Sequence, residues 1–327
     1  MTLSRTLPRR TFLQLAGAAA LPTSTRIARA QAYPSKPLRW IVGFPPGGGA
    51  DTVTRIMASW LAERLGQPVV VENRPGASSN LSVQAVVQSP PDGYTLLFVA
   101  ASAAVNVSLF DLQFNLVRDI APVSGLIDFS LVMVATPSFP AKNIAELIAL
   151  AKANPGKITV GSFGTGSTSH VAGELFKTMA GVEMIHVPYR GGAQMLADLL
   201  GGQLQVGIDV LTGPLSQIRA GGVRALGIGS KRRSEFLPDV PAIGETVPGY
   251  EANSWCGVGV PRGTPPEIIE RLNREINAGL ANAAIKKRYQ EVATTPIFYS
   301  PAEFGAYIAA ETDKWSKVVK RAGIKPE

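Results

Sequence analysis

Residues 38–65, LRWIVGFPPGGGADTVTRIMASWLAERL, decide the fold of this chain. The short apolar run LRWIVGF is typical of a buried parallel strand. The segment PPGGG cannot continue a strand or a helix. Asp51 then occupies the position of a helix N-cap, and apolar residues continue at helical spacing to Leu65, where Gly66 ends the pattern. The stretch therefore predicts a strand, a glycine-rich loop and the start of a helix.

The glycine-rich loop is a candidate anion site. Such a loop lets a ligand approach bare backbone N–H groups, and the dipole of the following helix favours a negative group there. The pattern fits equally well a tight βα connection that binds nothing, and this stretch alone leaves both interpretations open. On the binding interpretation the candidate residues are Phe44, Pro46, Gly47, Gly48, Gly49 and Asp51.

The first 30 residues predict an export signal. They contain Arg9-Arg10, a mild apolar stretch over residues 13–21, and Ala28-Arg29-Ala30 as a cleavage site of the small-x-small type. The paired arginines resemble a twin-arginine signal and the basic start resembles a general secretory one, so the export route stays open. The apolar run is far shorter than the ~20 residues of a membrane span. We expect cleavage near Ala30.

The basic charge of the chain lies mostly in that signal. The formal net charge is +8, and residues 1–30 hold five arginines and no acid, so the remainder carries +3. Such a small charge gives no reason to expect a nucleic-acid partner. The single cysteine, Cys256, excludes an intramolecular disulfide and a CxxC metal site.

The strand and helix pattern occurs twice along the chain. Residues 38–100 and residues 158–228 each alternate strands with helices, which implies parallel sheets flanked by helices. Apolar, strand-like segments at 130–136 and 254–260 lie on either side of the second unit, and helices follow from Pro266 and Pro301. This organisation predicts a two-domain α/β clamshell joined by two crossing segments, with a ligand cleft between the domains.

The predicted domains follow from those crossings. Residues 1–30 are the signal, residues 31–131 and 256–327 form domain one, and residues 132–255 form domain two. The second domain repeats the strand, Gly/Ser-rich loop and helix start of the first, and the two loops are expected to face each other across the cleft.

The remaining candidate residues are neutral donors and acceptors at strand ends or helix starts, which suit a carboxylate. Asp209 could accept a hydrogen bond from a ligand hydroxyl or amine, or cap a βα turn. Tyr189 could line the cleft. The full set is Ser102, Phe163, Thr165, Gly166, Ser167, Thr168, Tyr189 and Asp209.

The sequence contains few residues in patterns that are typical of catalysis. His170 and His186 are the two histidines, and neither belongs to an H-E-x-x-H motif, so a standard zinc site is excluded. The usual phosphate-binding glycine motifs are absent, and we expect no cofactor. His170 lies beside serines but outside a G-x-S-x-G elbow, which favours a histidine that orders the loop over a general base. An exported α/β hydrolase using a serine and His170 remains the alternative.

A series of motifs then resembles the solute receptors of tripartite tricarboxylate transporters, the Bug-type periplasmic binding proteins. The motifs run in order along essentially the whole chain after the signal. They are Tyr33-Pro34 with Lys36-Pro37, IVGFPPGGGAD (41–51), VENRPGA (71–77), PDGYTLL (91–97), GSFGTGSTSH (161–170) with VAGELFK (171–177), VPYRGG (187–192), DLLGGQLQ (198–205), LPDVPAIGE (237–245) and PGYEANSW (248–255).

The resemblance implies a type II-like periplasmic binding protein that is monomeric and not an enzyme. It would close on a small organic carboxylate and deliver it to integral membrane transporter subunits. Family receptors hold the carboxylate with loops that correspond here to Phe44–Asp51 and Phe163–Thr168, partly through ordered waters. A sensor with the same clamshell and a signalling partner is a further alternative.

Two segments depart from the family pattern. Residues 78–83 read SSNLSV, of which Asn80 is kept, and VLTG follows Asp209 in place of a more usual Asn-x-Pro-Ser-like turn. These changes leave the rest of the ligand open: a dicarboxylate, a tricarboxylate, an aromatic acid or an amino acid.

Overall fold

The computed structural model describes residues 33–325, so the expected signal over residues 1–30 lies outside the described residues. The chain divides into two compact units, Met1–Ser35 and Lys36–Glu327. The described part of the first unit is residues 33–35, in which the Tyr33–Pro34 peptide bond is cis. The described helices and strands belong to the second unit.

Strands and helices alternate within Lys36–Glu327, as the sequence predicts. The strands are β1 (Leu38–Val42), β2 (Val69–Asn73), β3 (Thr95–Ala100), β4 (Ile120–Ala135), β5 (Thr159–Ser162), β6 (Ile185–Pro188), β7 (Val206–Val210), β8 (Arg224–Ile228), β9 (Asn253–Pro261) and β10 (Thr295–Pro296).

The helices lie between and after these strands, and short 3-10 turns occur at Ala77–Ser79 and Ile243–Glu245. The helices are α1 (Gly49–Leu65), α2 (Asn80–Val87), α3 (Ala101–Leu109), α4 (Leu116–Asp119), α5 (Ile144–Ala153), α6 (Thr168–Ala180), α7 (Gly192–Leu200), α8 (Leu215–Arg219), α9 (Pro266–Ala281), α10 (Ala283–Glu291) and α11 (Pro301–Ala322). None of these helices is both long enough and apolar enough to cross a membrane.

The first sheet has a parallel core. β1 pairs in parallel with β2 on one side and with β3 on the other, in the order β2-β1-β3-β9-β4. Trp40, Ile41 and Val42 are buried because helices cover both faces of this strand, which is why the strand reads as a continuous apolar run. β9 and β4 add antiparallel strands that the expectation of a mostly parallel sheet did not include.

The second sheet repeats the arrangement. β5 pairs in parallel with β6 and β7, while the C-terminal part of β4 lies between β7 and β8 and is antiparallel to both. Residues 132–135 of β4, VMVA, are apolar and buried in the core of the second sheet.

Two neighbouring strands connect the sheets. β4 pairs with β9 from Ile120 to Ser130 and with β7 from Leu131 onward, so one continuous strand belongs to both sheets. β9 returns the chain beside it. The predicted α/β clamshell with two crossing segments is confirmed in this unit, whereas the exact domain limits at residues 131 and 255 stay predictions.

Helix α11 is a third connection, which the sequence did not reveal. Phe304 and Ile308 in its first half pack in the core of the first sheet. Trp315 and Val319 in its second half pack in the core of the second sheet. We call each sheet with its flanking helices a lobe, the first lobe around β1–β3 and the second around β5–β8. The sequence places this helix in domain one, whereas in the structure it contacts both lobes.

A buried carboxylate lies at this junction. Glu311 Oε2 accepts hydrogen bonds from Trp255 Nε1 of β9 and from Trp315 Nε1 of α11, each at 3.0 Å. Lys314 Nζ lies 3.3 Å from the other carboxylate oxygen. One side chain thus satisfies two buried indole N–H groups, one on a crossing strand and one on the spanning helix.

We expect Glu311→Ala to lower the free energy of unfolding by about 3 kcal/mol, because it leaves two buried donors without acceptors. Glu311→Gln keeps an acceptor oxygen and should lose clearly less. Urea unfolding at pH 7, followed by tryptophan fluorescence, measures both changes. Equal stability of Glu311→Ala and the unchanged protein would contradict a structural role for this carboxylate.

Candidate ligand-binding cleft

A cavity of about 560 Å³ lies between the two lobes. Most of the residues predicted from sequence line it: Phe44, Pro46, Gly47, Gly48, Gly49, Ser102, Phe163, Ser167, Thr168 and Asp209. The other four predicted residues, Asp51, Thr165, Gly166 and Tyr189, lie outside the lining.

The first loop places helix α1 at the wall of the cavity. Gly48, with an extended backbone (φ −80°, ψ 175°), is the N-cap, and it offers no side chain to the first-turn N–H groups. Asp51 is therefore not the N-cap that the sequence predicts but lies in the first turn. Its carboxylate reaches back to the Gly47 N–H at 2.9 Å, so it organises the loop from behind.

Asp51 is held by two further side chains. Arg55 Nε donates to it at 2.9 Å and Asn73 Nδ2 at 3.0 Å. Burial alone would raise the pKa of Asp51, but the hydrogen bonds from Arg55, Gly47 and Asn73 leave this pKa below its ordinary value. Asn73 Nδ2 also donates to the Phe44 carbonyl at 3.0 Å, which ties the loop to the end of β2.

The second loop is ordered by its own serines and a histidine. Ser167 is the N-cap of α6, and its hydroxyl accepts from the His170 N–H at 3.2 Å. The Ser169 hydroxyl accepts from the Phe163 N–H at 3.0 Å. His170 Nδ1 accepts from the Gly166 N–H at 3.2 Å, and the His170 ring stacks on His186. His170 thus has the loop-ordering contact that the sequence favoured.

Thr165 and Gly166 join the lobes at the edge of the cavity. The Ser78 hydroxyl of the first lobe donates to the Thr165 carbonyl. Gly166 has φ +81°, and a Cβ there would lie 2.8 Å from Cε2 of Phe110 in the first lobe. Only glycine fits this approach, so the second loop rests on the first lobe through its backbone.

Tyr189 does not line the cavity. Its hydroxyl donates to Asp198 Oδ2 at 2.8 Å, and burial followed by this hydrogen bond raises the pKa of Tyr189 to about 12. The neighbouring Arg190 does line the cavity, although its side chain is exposed. Of this predicted segment, Arg190 rather than Tyr189 therefore lines the cavity.

Asp209 is a buried acid in the cavity wall. It is 2% exposed, and burial raises its pKa to about 8 against the weaker opposing effect of the Val210 N–H. A Cβ on Gly192 or on Gly213 would lie 2.9 Å from Asp209 Oδ2, so two glycines make room for the carboxyl group. No described side chain donates a hydrogen bond to it.

The lining also contains residues that the sequence did not indicate. Thr212 lies in the VLTG segment that departs from the family pattern, and that departure was the available signal. Ser254 and Trp255 belong to a strand that reads simply as apolar core. The further lining residues are Pro45, Ala50, Thr52, Phe98, Ala100, Phe129, Arg190, Gly191, Gly192, Ala193, Gln194, Leu196, Val210, Thr212, Gly213, Ser254, Trp255 and Val292.

Comparison with known proteins agrees with this geometry. The chain matches the profile of the "Tripartite tricarboxylate transporter family receptor" over residues 53–324. Protein BugT of Bordetella pertussis is 38% identical over 318 residues, which cover 96% of each chain.

Two solved structures were determined with carboxylates. An R. palustris protein with adipate is 36% identical, with a TM-score of 0.87 over 90% of this chain and 100% of that one. MatC from Rhodopseudomonas palustris with bound malate is 28% identical, with a TM-score of 0.83 over 88% of this chain and 100% of that one.

The raised pKa of Asp209 predicts a pH-dependent stability. Between the ordinary carboxyl value of 3.8 and the folded value of about 8, the unfolded chain is ionised while the folded protein keeps the proton. Stability is therefore lost as pH rises through this window. Asp209→Asn removes this loss, and we expect it to gain stability relative to the unchanged protein as pH rises.

Urea unfolding of both proteins without ligand, from pH 4.5 to pH 8, tests this expectation. Burial also raises the pKa of Asp128, to about 6, but Asp128 is common to both proteins and cancels in their difference. A constant difference in unfolding free energy across the whole range would contradict the shifted pKa of Asp209.

Proposed function

Because the chain belongs to the tripartite tricarboxylate transporter receptor family, we propose that it is a periplasmic solute receptor. It captures a small organic carboxylate in the cavity between its lobes and delivers it to integral membrane transporter subunits. The family match confirms the resemblance inferred from the motifs. Receptors of this family are periplasmic, and the signal features of residues 1–30 support the same location for this chain.

One observation carries the proposal: two helices begin at the wall of one cavity. α1 begins after Gly48 and α6 after Ser167, and both N-caps line the cavity. The first N–H groups of a helix have no partner within the helix, and the positive end of the dipole lies there. A carboxylate can therefore be bound by charge-assisted hydrogen bonds without a buried arginine.

The relatives support the ligand class. Adipate and malate, found in two similar structures, are both carboxylates. The match of those chains to this one is nearly complete in length, so the two lobes and the cleft correspond. We propose that the same kind of group binds between the glycine-rich loop and the loop before α6, partly through ordered waters, in a monomeric receptor.

Closure of the lobes follows from the position of the loops. A Cβ on Gly49 of the first lobe would lie 3.5 Å from the Thr212 side chain of the second. Ser78 and Thr165 make a second contact between the lobes. A ligand that contacts both loops binds the closed form better than the open one and shifts the population toward closure.

A catalytic role has less support. The proposed hydrolase would need His170 as a base, but its Nδ1 already accepts the Gly166 N–H and its imidazole packs on His186. Ser167, the serine of this loop that lines the cavity, instead caps α6. We propose binding without turnover; a signalling partner in place of a transporter would use the same cleft.

Thermal melting against a panel of small carboxylates, amino acids and neutral sugars tests the receptor proposal. A ligand at 100 times its Kd should stabilise the protein by ~2.7 kcal/mol, and the compound should be recovered unchanged. Consumption of the compound would favour the hydrolase instead. The absence of any shift with every acid would count against a carboxylate receptor.

Substitutions in the two loops should weaken binding without unfolding the protein. Asp51→Ala releases the Gly47 N–H, and Ser167→Ala removes a cap worth about 1 kcal/mol of stability. We expect each to raise the Kd about 10-fold, corresponding to about 1.4 kcal/mol. Calorimetric titration with the panel's best ligand measures this, and Asp313→Ala, at an exposed ion pair on α11, is the matched control. Unchanged affinity in both loop variants would refute the assignment of the loops.

A further inference from the structure

Two polar groups in the cavity wall have no role in binding a carboxylate at the helix starts. Asp209 lies at the end of β7 and accepts a hydrogen bond only from a backbone N–H. Thr212 lies just beyond that strand, and its Oγ1 is buried without a hydrogen-bond partner. Both residues line the cavity.

Buried polar groups in native proteins are almost always paired, and an exception calls for a specific explanation. Here two such groups lie three residues apart on one wall. Gly192 and Gly213 leave space next to the Asp209 carboxyl oxygens, where any larger residue would crowd them. The two glycines thus make room for the Asp209 carboxyl group in the cavity wall, and the missing partner of Asp209 and Thr212 is expected to come with the ligand.

The rest of the wall is mostly apolar. Aromatic side chains from both lobes face this one cavity, which has a volume typical of small-molecule sites. They are Phe44, Phe98, Phe129, Phe163 and Trp255. Such a wall gains little from a short, highly polar ligand, whereas a ring buries its faces against aromatic neighbours.

The charges in the wall argue against a second carboxylate. Among the described residues that line the cavity, Arg190 is the cation, and it is exposed where water screens it. The buried acid of the lining is Asp209, which offers a second carboxylate no positive charge. A hydroxyl group, in contrast, can donate to one of the two unpaired groups and accept from the other.

We infer that the receptor selects a hydroxylated aromatic carboxylate, whose hydroxyl group hydrogen-bonds Asp209 and Thr212. This inference rests on the proposed function, because it requires the carboxylate to be held by the helix starts of the two loops. It adds the chemistry of the remainder of the ligand, which the family match leaves open.

Calorimetric titration of the purified protein with matched acids tests the inference. The probes are benzoate with its 2-, 3- and 4-hydroxy derivatives, phenylacetate with mandelate, and adipate. We expect at least one hydroxylated acid to bind at least about 10-fold more tightly than its parent acid, and more tightly than adipate, since a site built for a hydroxyl rejects the analogue that lacks it.

Variants then assign the preference to the two residues. Thr212→Val keeps the shape of the side chain and Asp209→Ala removes the carboxyl group. Each should reduce the ratio of the affinities for the hydroxylated acid and its parent acid toward one. Asp209→Asn supplies a variant of nearly unchanged volume. Asp313→Ala and Thr246→Val, exposed and outside the cavity, should keep the full preference. Melting of each unliganded variant establishes that it is folded.

The outcomes separate this inference from the proposed function. Carboxylates that bind without any gain from a hydroxyl, or tighter binding of adipate, would overturn the inference and leave the receptor proposal standing. A preference that survives in both Asp209→Ala and Thr212→Val would overturn the role of these residues. Failure of every carboxylate to bind, in this series and in the wider panel, would overturn the receptor proposal and the inference together.

Discussion

The antiparallel pairing of β4 with β9 is the constraint on which the cleft depends. Phe129 and Ser254 are direct partners in this ladder, and both line the cavity. A few residues further along β4, Val132 pairs with Asp209, which brings the second sheet to the same place. A shift of this register by one residue would turn each of these side chains to the opposite face. The floor of the cavity is thus set by backbone hydrogen bonds between strands.

The residues of the site divide into those that face the ligand space and those that hold them. Gly47, Gly48 and Gly49 present backbone, and Asp51 with Asn73 fixes that backbone from behind. On the other lobe Ser167 faces the cavity and His170 holds its loop. A preorganised backbone site needs such supports, because N–H groups can favour an anion only while they point at it. Charged side chains near this cleft therefore act mainly by holding the backbone of the loops in place.

The same arrangement explains how closure can be coupled to binding. β4, β9 and α11 contact both lobes, and Glu311 joins the last two through a pair of indole N–H groups. The Thr168 hydroxyl at the start of α6 donates to the Ser254 hydroxyl of β9 at 3.2 Å, so the second loop is tied to a crossing strand. The second loop contacts the first lobe through its backbone, where the Thr165 carbonyl accepts from Ser78 and Gly166 packs against Phe110. On the proposed function, a ligand in the cavity adds contacts to both lobes and thereby favours the closed form.

The sequence by itself determined the α/β clamshell, the two crossing strands and both ligand loops, because these features rest on local patterns. Strand and helix periodicity, Gly/Pro breaks and a serine N-cap are all encoded within a few neighbouring residues. Most of the binding residues that the sequence indicated, from Phe44 to Asp209, line the cavity. Tertiary structure decided what depends on distant neighbours. It placed Asp51 behind its loop, turned Tyr189 toward Asp198, and stretched α11 across both cores. It also left Asp209 and Thr212, in one wall of the cavity, without side-chain hydrogen-bond partners. The partners of a buried polar group are set by packing between distant segments, which the order of residues along the chain does not reveal.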